Sequence, residues 1–150
     1  PDLLNALIST GTPQCIADFE SPIPKGLSPI ADRAEVINQH FSAENTRDIL
    51  KHIASYKSAL TDEVSETFAR QSPLSVLATL ATVRAVRKSP DMATAIDYEY
   101  RFTSRSLAEA DFLEGVRALL IDKDYAPNWK HKDFDNVTDD EISHMLAPLS

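Results

Sequence analysis

One stretch, from Asp91 to Trp129, constrains the fold of this chain more than any other part of its sequence. Its apolar residues recur at helical spacing, as at Phe112 and Leu119, and no proline occurs before its last three residues. A helical period without an interrupting proline is typical of an amphipathic helix. We therefore predict one long central helix over about 91–124.

A glycine lies in the middle of this predicted helix. Gly115 costs a helix about 1 kcal/mol relative to alanine, so its position indicates either a bend or a close approach of another group to the backbone. Pro127 lacks the N–H group that a helix needs. We expect it to end the segment.

Short helices are predicted for the rest of the chain. Residues that favour helix N-caps precede most of them: Asp2, Thr12, Asp32, Asn45, Thr61, Ser72, Ser89 and Thr138. The helix predicted after Ser72 is apolar on nearly every side, which is typical of a buried element. No window alternates apolar and polar residues for long enough to predict a strand. We predict an all-α fold, an irregular helical bundle.

Proline and glycine mark one irregular segment. Three prolines and one glycine fall within the nine residues from Ser21 to Pro29, which predicts a loop over 21–30. This loop separates short helices at 1–20 from a main helical body at 31–150. The full length of 150 residues fits one ordinary domain.

The composition excludes several classes of function. A formal net charge of −8 and a pI near 4.9 argue against a nucleic-acid surface, because phosphate binding needs an excess of lysine and arginine. A single cysteine, Cys15, excludes an intramolecular disulfide. No apolar run approaches the length of about 20 residues that spans a membrane. We expect no nucleic-acid partner and no membrane partner.

Few residues form a pattern typical of catalysis. The four histidines are scattered and lack metal-ligand spacing, so no metal site is predicted. Asp111 and Glu114 lie three residues apart on the predicted helix and could act as an acid and base pair. Alternatively, they lie on a solvated face or form an ion pair with Arg117. We predict no catalytic residue in this chain.

Several cations lie in the predicted helices around the long segment: Arg84, Arg87, Lys88, Arg101, Arg105, Arg117 and Lys123. They indicate an anionic ligand or an acidic partner, although cations at helix C-termini also stabilise the helix dipole. Tyr98, Tyr100 and Phe102 beside these arginines could stack on bases, but at helical spacing such residues more often form core and rim.

The long segment also resembles a known family. The resemblance is carried by Asp111-Phe112-x-Glu114-Gly115-Val116-x-Ala118-x-Leu120-x-x-Lys123-x-x-x-Pro127-x-Trp129, which is similar to the C-terminal signature of the enoyl-CoA hydratase/isomerase, or crotonase, superfamily. The run from Glu114 to Asp124 resembles the 3-hydroxyisobutyryl-CoA hydrolase branch more narrowly. Further similar motifs are Phe41–Leu50, Ser72–Leu80 and Tyr98–Arg105, so nearly all 150 residues resemble the C-terminal part of such a protein.

This resemblance implies a function for a larger protein. Family members carry a preceding spiral domain that supplies the oxyanion hole and the catalytic carboxylates. The chain would then cover the site for the acyl-CoA substrate, contact the spiral domain and form a homo-oligomer, without catalysing thioester hydrolysis alone. The branch implies valine catabolism, in the bacterial cytoplasm or the mitochondrial matrix of a eukaryote. Coenzyme A is part of the substrate, and no cofactor is implied.

Lys123 is the one ligand-binding residue that the resemblance implies. It matches a lysine that approaches the phosphates of coenzyme A in the superfamily. Leu120 stands where the superfamily has an aromatic residue near the adenine, so stacking there is not expected. The alternative for Lys123 is a cation at a helix C-terminus.

Three other functions stay open at this point. The chain is alternatively the C-terminal domain of an enoyl-CoA hydratase/isomerase, a free-standing helical protein-interaction module, or a small acyl-CoA carrier. An upstream crotonase domain in the reading frame would favour the hypotheses in which the chain is part of an enzyme. Saturable binding of acyl-CoA by the chain would favour the carrier.

Overall fold

The protein's structure is a computed structural model and describes residues 2–22, 26 and 28–149. Within these residues the chain forms helices joined by turns and loops, and no β-strand. The predicted all-α fold is confirmed. Contacts between residues divide the chain into two compact units, Pro1–Phe41 and Ser42–Ser150.

The first unit contains α1 (Leu3–Thr10), a 3₁₀ helix (Pro13–Phe19), α2 (Pro29–Asp32) and α3 (Ala34–Phe41). The Asp2 carboxylate accepts a hydrogen bond from the Asn5 N–H at the start of α1. Gly11 ends α1 with a φ of 66°, a left-handed conformation that glycine adopts without steric cost. The predicted N-cap at Asp2 is confirmed.

The proline-rich loop lies partly within the described residues. Ser21 and Pro22 are not helical, and residues 23–25 and 27 lie outside the described part of the chain. Pro29, predicted to lie in the loop, begins α2 instead, because the Ser28 hydroxyl caps that helix. Asp32, predicted to cap a helix, is the last residue of α2.

The second unit contains α4 (Thr46–Ser55), α5 (Ala59–Phe68), α6 (Pro73–Lys88), α7 (Met92–Glu109), α8 (Phe112–Val116), a π-helix (Arg117–Ile121), a second 3₁₀ helix (Phe134–Asn136) and α9 (Asp139–Leu146). The predicted N-caps Asn45, Ser72 and Thr138 are confirmed, since each side chain accepts a backbone N–H of the following helix.

Two predicted N-caps were wrong by a few residues. Ser58 caps α5, and Thr61 is its partner in a capping box, because each side chain binds the other residue's backbone N–H. Asp91 rather than Ser89 caps α7, since its carboxylate accepts from both the N–H and the hydroxyl of Thr94. These hydrogen bonds lower the pKa of Asp91.

The core of the second unit lies where α7 and α9 pack against α6. Leu74 and Leu77 of α6 pack with Val137 and Met145, and each of the four side chains is at most 2% exposed. Phe102 of α7 covers one side of this cluster. The buried position predicted for α6 is therefore confirmed.

The long helix predicted over 91–124 is interrupted. Helix α7 ends at Glu109, and Ala110 takes an extended conformation with φ −131° and ψ −161°. Neither Ala110 nor Asp111 is a glycine or proline, so no local breaker marks the interruption. The cause is tertiary: the buried Asp111 carboxylate binds Ser72, at the start of α6, and the backbone of Lys130.

Two arginines of α7 bind the end of α9. Arg101 donates to the Leu146 carbonyl, and Arg105 donates to the carbonyls of Met145 and Ala147. Carbonyls at a helix C-terminus lack partners within the helix, and a cation there also stabilises the helix dipole. The arginines of the Tyr98–Arg105 motif therefore hold α9 on α7.

Replacing a core leucine tests this packing. Leu77→Ala is expected to lower the free energy of unfolding by about 2–5 kcal/mol, because it removes buried methyl groups and leaves a cavity. Urea denaturation followed by the fluorescence of Trp129, the chain's one tryptophan, measures the change in the second unit. Leu113→Ala is the matched control, since Leu113 is 61% exposed. Equal losses in the two variants would contradict the proposed core.

Candidate functional site

The signature segment forms one wall of a cleft in the second unit. The cleft has a volume of about 550 Å³ and opens to solvent. Its apolar lining comes from α7, α8, the π-helix and the loop that follows: Phe102, Phe112, Val116, Leu119, Tyr125, Pro127 and Trp129. Polar groups at the start of α6 line its other side. A concave, mostly apolar surface with a few polar groups is typical of a binding site.

Asp111 joins the cleft to the start of α6. Its side chain is buried, and the two carboxylate oxygens accept from the Ser72 hydroxyl at 2.6 Å and the Lys130 N–H at 2.8 Å. The Ser72 oxygen also accepts the Ser75 N–H at 3.2 Å, so Ser72 caps α6 and binds Asp111 at once. This link fixes the direction in which the chain leaves the break at Ala110.

An aromatic ring lies against the helix at Gly115. A Cβ atom at Gly115 would lie 3.4 Å from Cη2 of the Trp129 indole. The indole Nε1 donates to the Arg70 carbonyl at 3.2 Å, which fixes the ring in the cleft. Of the two alternatives that the sequence left open at Gly115, a bend or a close approach, the structure shows a close approach, by Trp129.

A single guanidinium organises the segment after α8. Arg117 forms a bidentate pair with Glu114, at 2.9 and 2.8 Å, and its Nη1 donates to Asp122 at 2.6 Å and Asp124 at 2.7 Å. Its Nη2 also donates to the Ala126 carbonyl at 3.2 Å. Three acceptors of the loop 122–126 therefore bind the side chain of Arg117.

These contacts shift the pKa values of the carboxylates. Hydrogen bonds from Arg117, followed by one from the Asn128 N–H, lower the pKa of Glu114 to about 2. The Ala126 N–H and then Arg117 lower the pKa of Asp124. The carboxylates, Glu114 foremost, raise the pKa of Arg117. All of these groups are charged at neutral pH.

The proposed acid and base pair is not brought together in one site. Asp111 binds Ser72 and the Lys130 backbone, whereas Glu114 binds Arg117 and the Asn128 N–H. A carboxylate with a pKa near 2 holds no proton to give at neutral pH. The alternative from the sequence, an ion pair between Glu114 and Arg117, is confirmed.

Lys123 lies in the loop that Arg117 holds. Lys123 and Tyr125 both have a φ of 55°, in the left-handed region that side chains other than glycine rarely occupy. The side chain of Lys123 is exposed, and its ammonium forms no ion pair within the described part of the chain. Its binding role stays a prediction.

Most of the other clustered cations have internal partners. Arg84 donates to the Ala43 carbonyl, Arg101 and Arg105 hold α9, and Arg117 binds three carboxylates. The Arg101 guanidinium also lies 4.9 Å from the centre of the Tyr98 ring. Tyr98, Phe102 and the two arginines of α7 thus make contacts within the unit, as the alternative of core and rim residues predicted, whereas Tyr100 is 63% exposed.

Two of the four histidines form separate pairs with glutamates. Nε2 of His131 lies 3.0 Å from Glu141, and Nε2 of His144 lies 2.6 Å from Glu109. Within the described ranges, no group of three or more His, Cys, Asp or Glu side chains could hold a metal ion. None of the helices searched in residues 2–22, 26 and 28–149 is long and apolar enough to cross a membrane.

Sequence comparison identifies the family. Residues 1–146 match the enoyl-CoA hydratase/isomerase family. The chain belongs to this family. It is 33% identical to the mitochondrial 3-hydroxyisobutyryl-CoA hydrolase of Rattus norvegicus over 118 residues, and 32% identical to that of Homo sapiens over 120 residues. The matches cover 79% and 80% of this chain but 30% and 31% of the relatives, so the chain spans about three tenths of their length.

Solved structures agree with this assignment. An enoyl-CoA hydratase from Rhodobacter sphaeroides superposes with a TM-score of 0.78 at 32% identity, over 97% of this chain and 42% of that one. A carnitinyl-CoA dehydratase from Mycobacterium thermoresistibile gives a TM-score of 0.74 at 26% identity, over 97% and 41% of the two chains. The resemblance seen in the sequence is therefore confirmed at the level of family and fold.

Removing the Ser72 hydroxyl tests the Asp111 link. Ser72→Ala is expected to lower the free energy of unfolding by about 1–3 kcal/mol, because α6 loses its cap and the buried carboxylate loses a donor. Ser75→Ala, one turn further along the same helix, is the control and is expected to change stability by about 0.5 kcal/mol or less. Urea denaturation followed by Trp129 fluorescence measures both. A Ser72 variant as stable as the control would contradict the role of the link.

The lowered pKa of Glu114 predicts a dependence on pH. A carboxyl whose pKa falls from 4.5 to about 2 on folding stabilises the fold above pH 4.5, and this stabilisation is lost as the pH falls through about 2. The difference in stability between the parent chain and Glu114→Gln should therefore shrink over that range. Urea denaturation at a series of pH values measures it, with Glu66→Gln, a change at an exposed carboxylate of α5, as the control.

Proposed function

We propose that this chain is the helical C-terminal part of a 3-hydroxyisobutyryl-CoA hydrolase-like enzyme of valine catabolism. In this proposal it covers the acyl-CoA site and contacts the spiral domain that precedes it and a neighbouring subunit. It supplies no catalytic residue, and coenzyme A enters as part of the substrate rather than as a cofactor. Identities of 32–33% to mitochondrial 3-hydroxyisobutyryl-CoA hydrolases support the choice of branch.

An exposed apolar stripe along α7 is the observation that carries the proposal. Met92, Ile96, Tyr100 and Leu107 lie on one face of the helix, and each is at least 50% exposed. A row of exposed apolar side chains on one face of a helix is typical of an interaction surface. The stripe faces away from the core, so it is available to a second domain or subunit.

The outer face of the signature segment offers a second apolar surface. Leu113, Leu120 and Ile121 are each more than 60% exposed, although they lie in the part of the chain that most resembles the family. The relatives are more than three times as long as the part that this chain matches. We assign these surfaces to contacts with the spiral domain that the remaining length contains.

Lys123 is proposed to contact a phosphate of coenzyme A. Its ammonium is exposed and has no ion pair within the described residues, whereas Arg101, Arg105 and Arg117 are held by internal acceptors. A lysine ammonium binds phosphate as a compact point charge. For a eukaryotic source, the mitochondrial relatives support placement of the enzyme in the mitochondrial matrix.

One observation favours a second candidate. The Rhodobacter sphaeroides enoyl-CoA hydratase is as similar in sequence, at 32% identity, as the hydrolases are. In this second candidate function, the chain is the C-terminal domain of an enoyl-CoA hydratase/isomerase. The two candidates share the covering role and differ in the reaction catalysed by the spiral domain.

Enzyme assays on two forms of the protein test the proposal. The full-length protein is expected to release free coenzyme A from 3-hydroxyisobutyryl-CoA, measured with a thiol reagent, and residues 1–150 alone are expected to release none. Without an oxyanion hole and a positioned base, the chain lacks the groups that lower the barrier. Thioester hydrolysis by residues 1–150 would contradict the proposal. Hydration of an enoyl-CoA by the full-length protein without thiol release would favour the second candidate.

A further inference from the structure

The loop 122–126 holds two residues in an unfavourable backbone conformation. Lys123 and Tyr125 are the non-glycine residues with positive φ in the described part of the chain, and they lie two positions apart. A left-handed conformation at such residues persists only where surrounding contacts determine it. The Tyr125 N–H donates to the Ala118 carbonyl at 3.1 Å, and the Asp122 N–H to the Arg117 carbonyl at 2.8 Å. The Ala126 N–H donates to the Asp124 carboxylate at 2.9 Å, and Arg117 donates to Asp122, Asp124 and the Ala126 carbonyl.

The Arg117 side chain has no donor left for a ligand. An arginine carries five N–H donors, and Arg117 makes five hydrogen bonds, to both Glu114 oxygens, Asp122, Asp124 and the Ala126 carbonyl. Arg117 therefore does not bind the ligand anion itself. Its effect on a ligand must pass through the loop.

Arg117 also affects Lys123 through the two aspartates next to it. Asp122 and Asp124 flank the lysine, and either carboxylate would attract its ammonium and repel a phosphate. Both bind Nη1 of Arg117, at 2.6 and 2.7 Å. The guanidinium thus binds the competing carboxylates, and the Lys123 ammonium is exposed and forms no ion pair with any residue that the structure describes.

We infer that Arg117 is a positioning residue, which holds the loop 122–126 in the shape that presents Lys123 to a phosphate-bearing ligand and keeps Asp122 and Asp124 away from it. The inference rests on the proposed function, in which that ligand is the nucleotide end of an acyl-CoA. It assigns to the Glu114-x-x-Arg117 pair of the signature a role in substrate affinity rather than in proton transfer.

Kinetics of the full-length protein with two substrates test the inference. The variants are Arg117→Gln, Arg117→Lys, Lys123→Gln and the double variant Arg117→Gln with Lys123→Gln. The substrates are 3-hydroxyisobutyryl-CoA and the same acyl group on pantetheine, which lacks the nucleotide and its phosphates. Arg87→Gln is the matched control, because Arg87 is an exposed arginine at the end of α6.

The expected result is a loss of affinity that depends on the nucleotide. Arg117→Gln and Lys123→Gln each raise KM for the CoA thioester by about tenfold, the size expected for loss of one charge-assisted hydrogen bond. KM for the pantetheine thioester stays unchanged, and the double variant is no worse than the more impaired single variant, because both changes remove one contact. Arg117→Lys recovers part of the loss, since it keeps the charge but has three donors for five acceptors.

Each of the other outcomes contradicts a specific part of the inference or of the proposed function. If Lys123→Gln raises KM and Arg117→Gln does not, or if their effects multiply, Arg117 does not act through Lys123 and the proposed function stands. If Arg117→Gln raises KM for both substrates alike, its role is only structural. If Lys123→Gln leaves KM unchanged, the phosphate contact of the proposed function fails, and the inference fails with it. Arg87→Gln should behave as the parent protein throughout.

Discussion

The buried Asp111 carboxylate is the contact on which the arrangement of the second unit depends. It accepts from the Ser72 hydroxyl and the Lys130 N–H, and so joins the start of α6, the break after α7 and the segment that follows Trp129. A buried charge that loses its donors is costly, so the chain turns at Ala110 instead of continuing as a helix. The turn brings the signature segment beside α6 and α7, where it forms a wall of the cleft.

The arginine side chains of this unit mainly bind helix ends and loops within the unit. The guanidinium of Arg101 binds the end of α9, and that of Arg117 gathers three carboxylates and a carbonyl. Exposed single ion pairs contribute little to stability, whereas a guanidinium whose donors bind both a helix and the loop that follows it fixes their geometry. In a chain with a net charge of −8, Lys123 thus forms no ion pair within the described residues, and its loop contributes Tyr125 to the apolar cleft.

Helices and caps that depend on neighbouring residues could be predicted from the sequence. Features that depend on contacts between distant residues could not. The caps at Asn45 and Thr138 follow from contacts with residues two or three positions away, so the sequence alone reveals them. The break at Ala110 depends on Ser72, 39 residues before Asp111, and no local pattern encodes it. In the site, the spacing of acids around Arg117 predicted one ion pair, but the folding of the loop around it needed the structure. The role of Lys123 comes from family resemblance alone.

The position of α9 in the core sets the order in which the second unit can fold. Val137 and Met145 complete the cluster begun by Leu74 and Leu77, which precede them by at least 60 residues. During synthesis, the cluster on α6 therefore stays incomplete until residue 145 has left the ribosome. Contacts this distant in sequence slow folding, because a long loop must close before they form. Until then, we expect Leu74 and Leu77 to be accessible to chaperones and proteases.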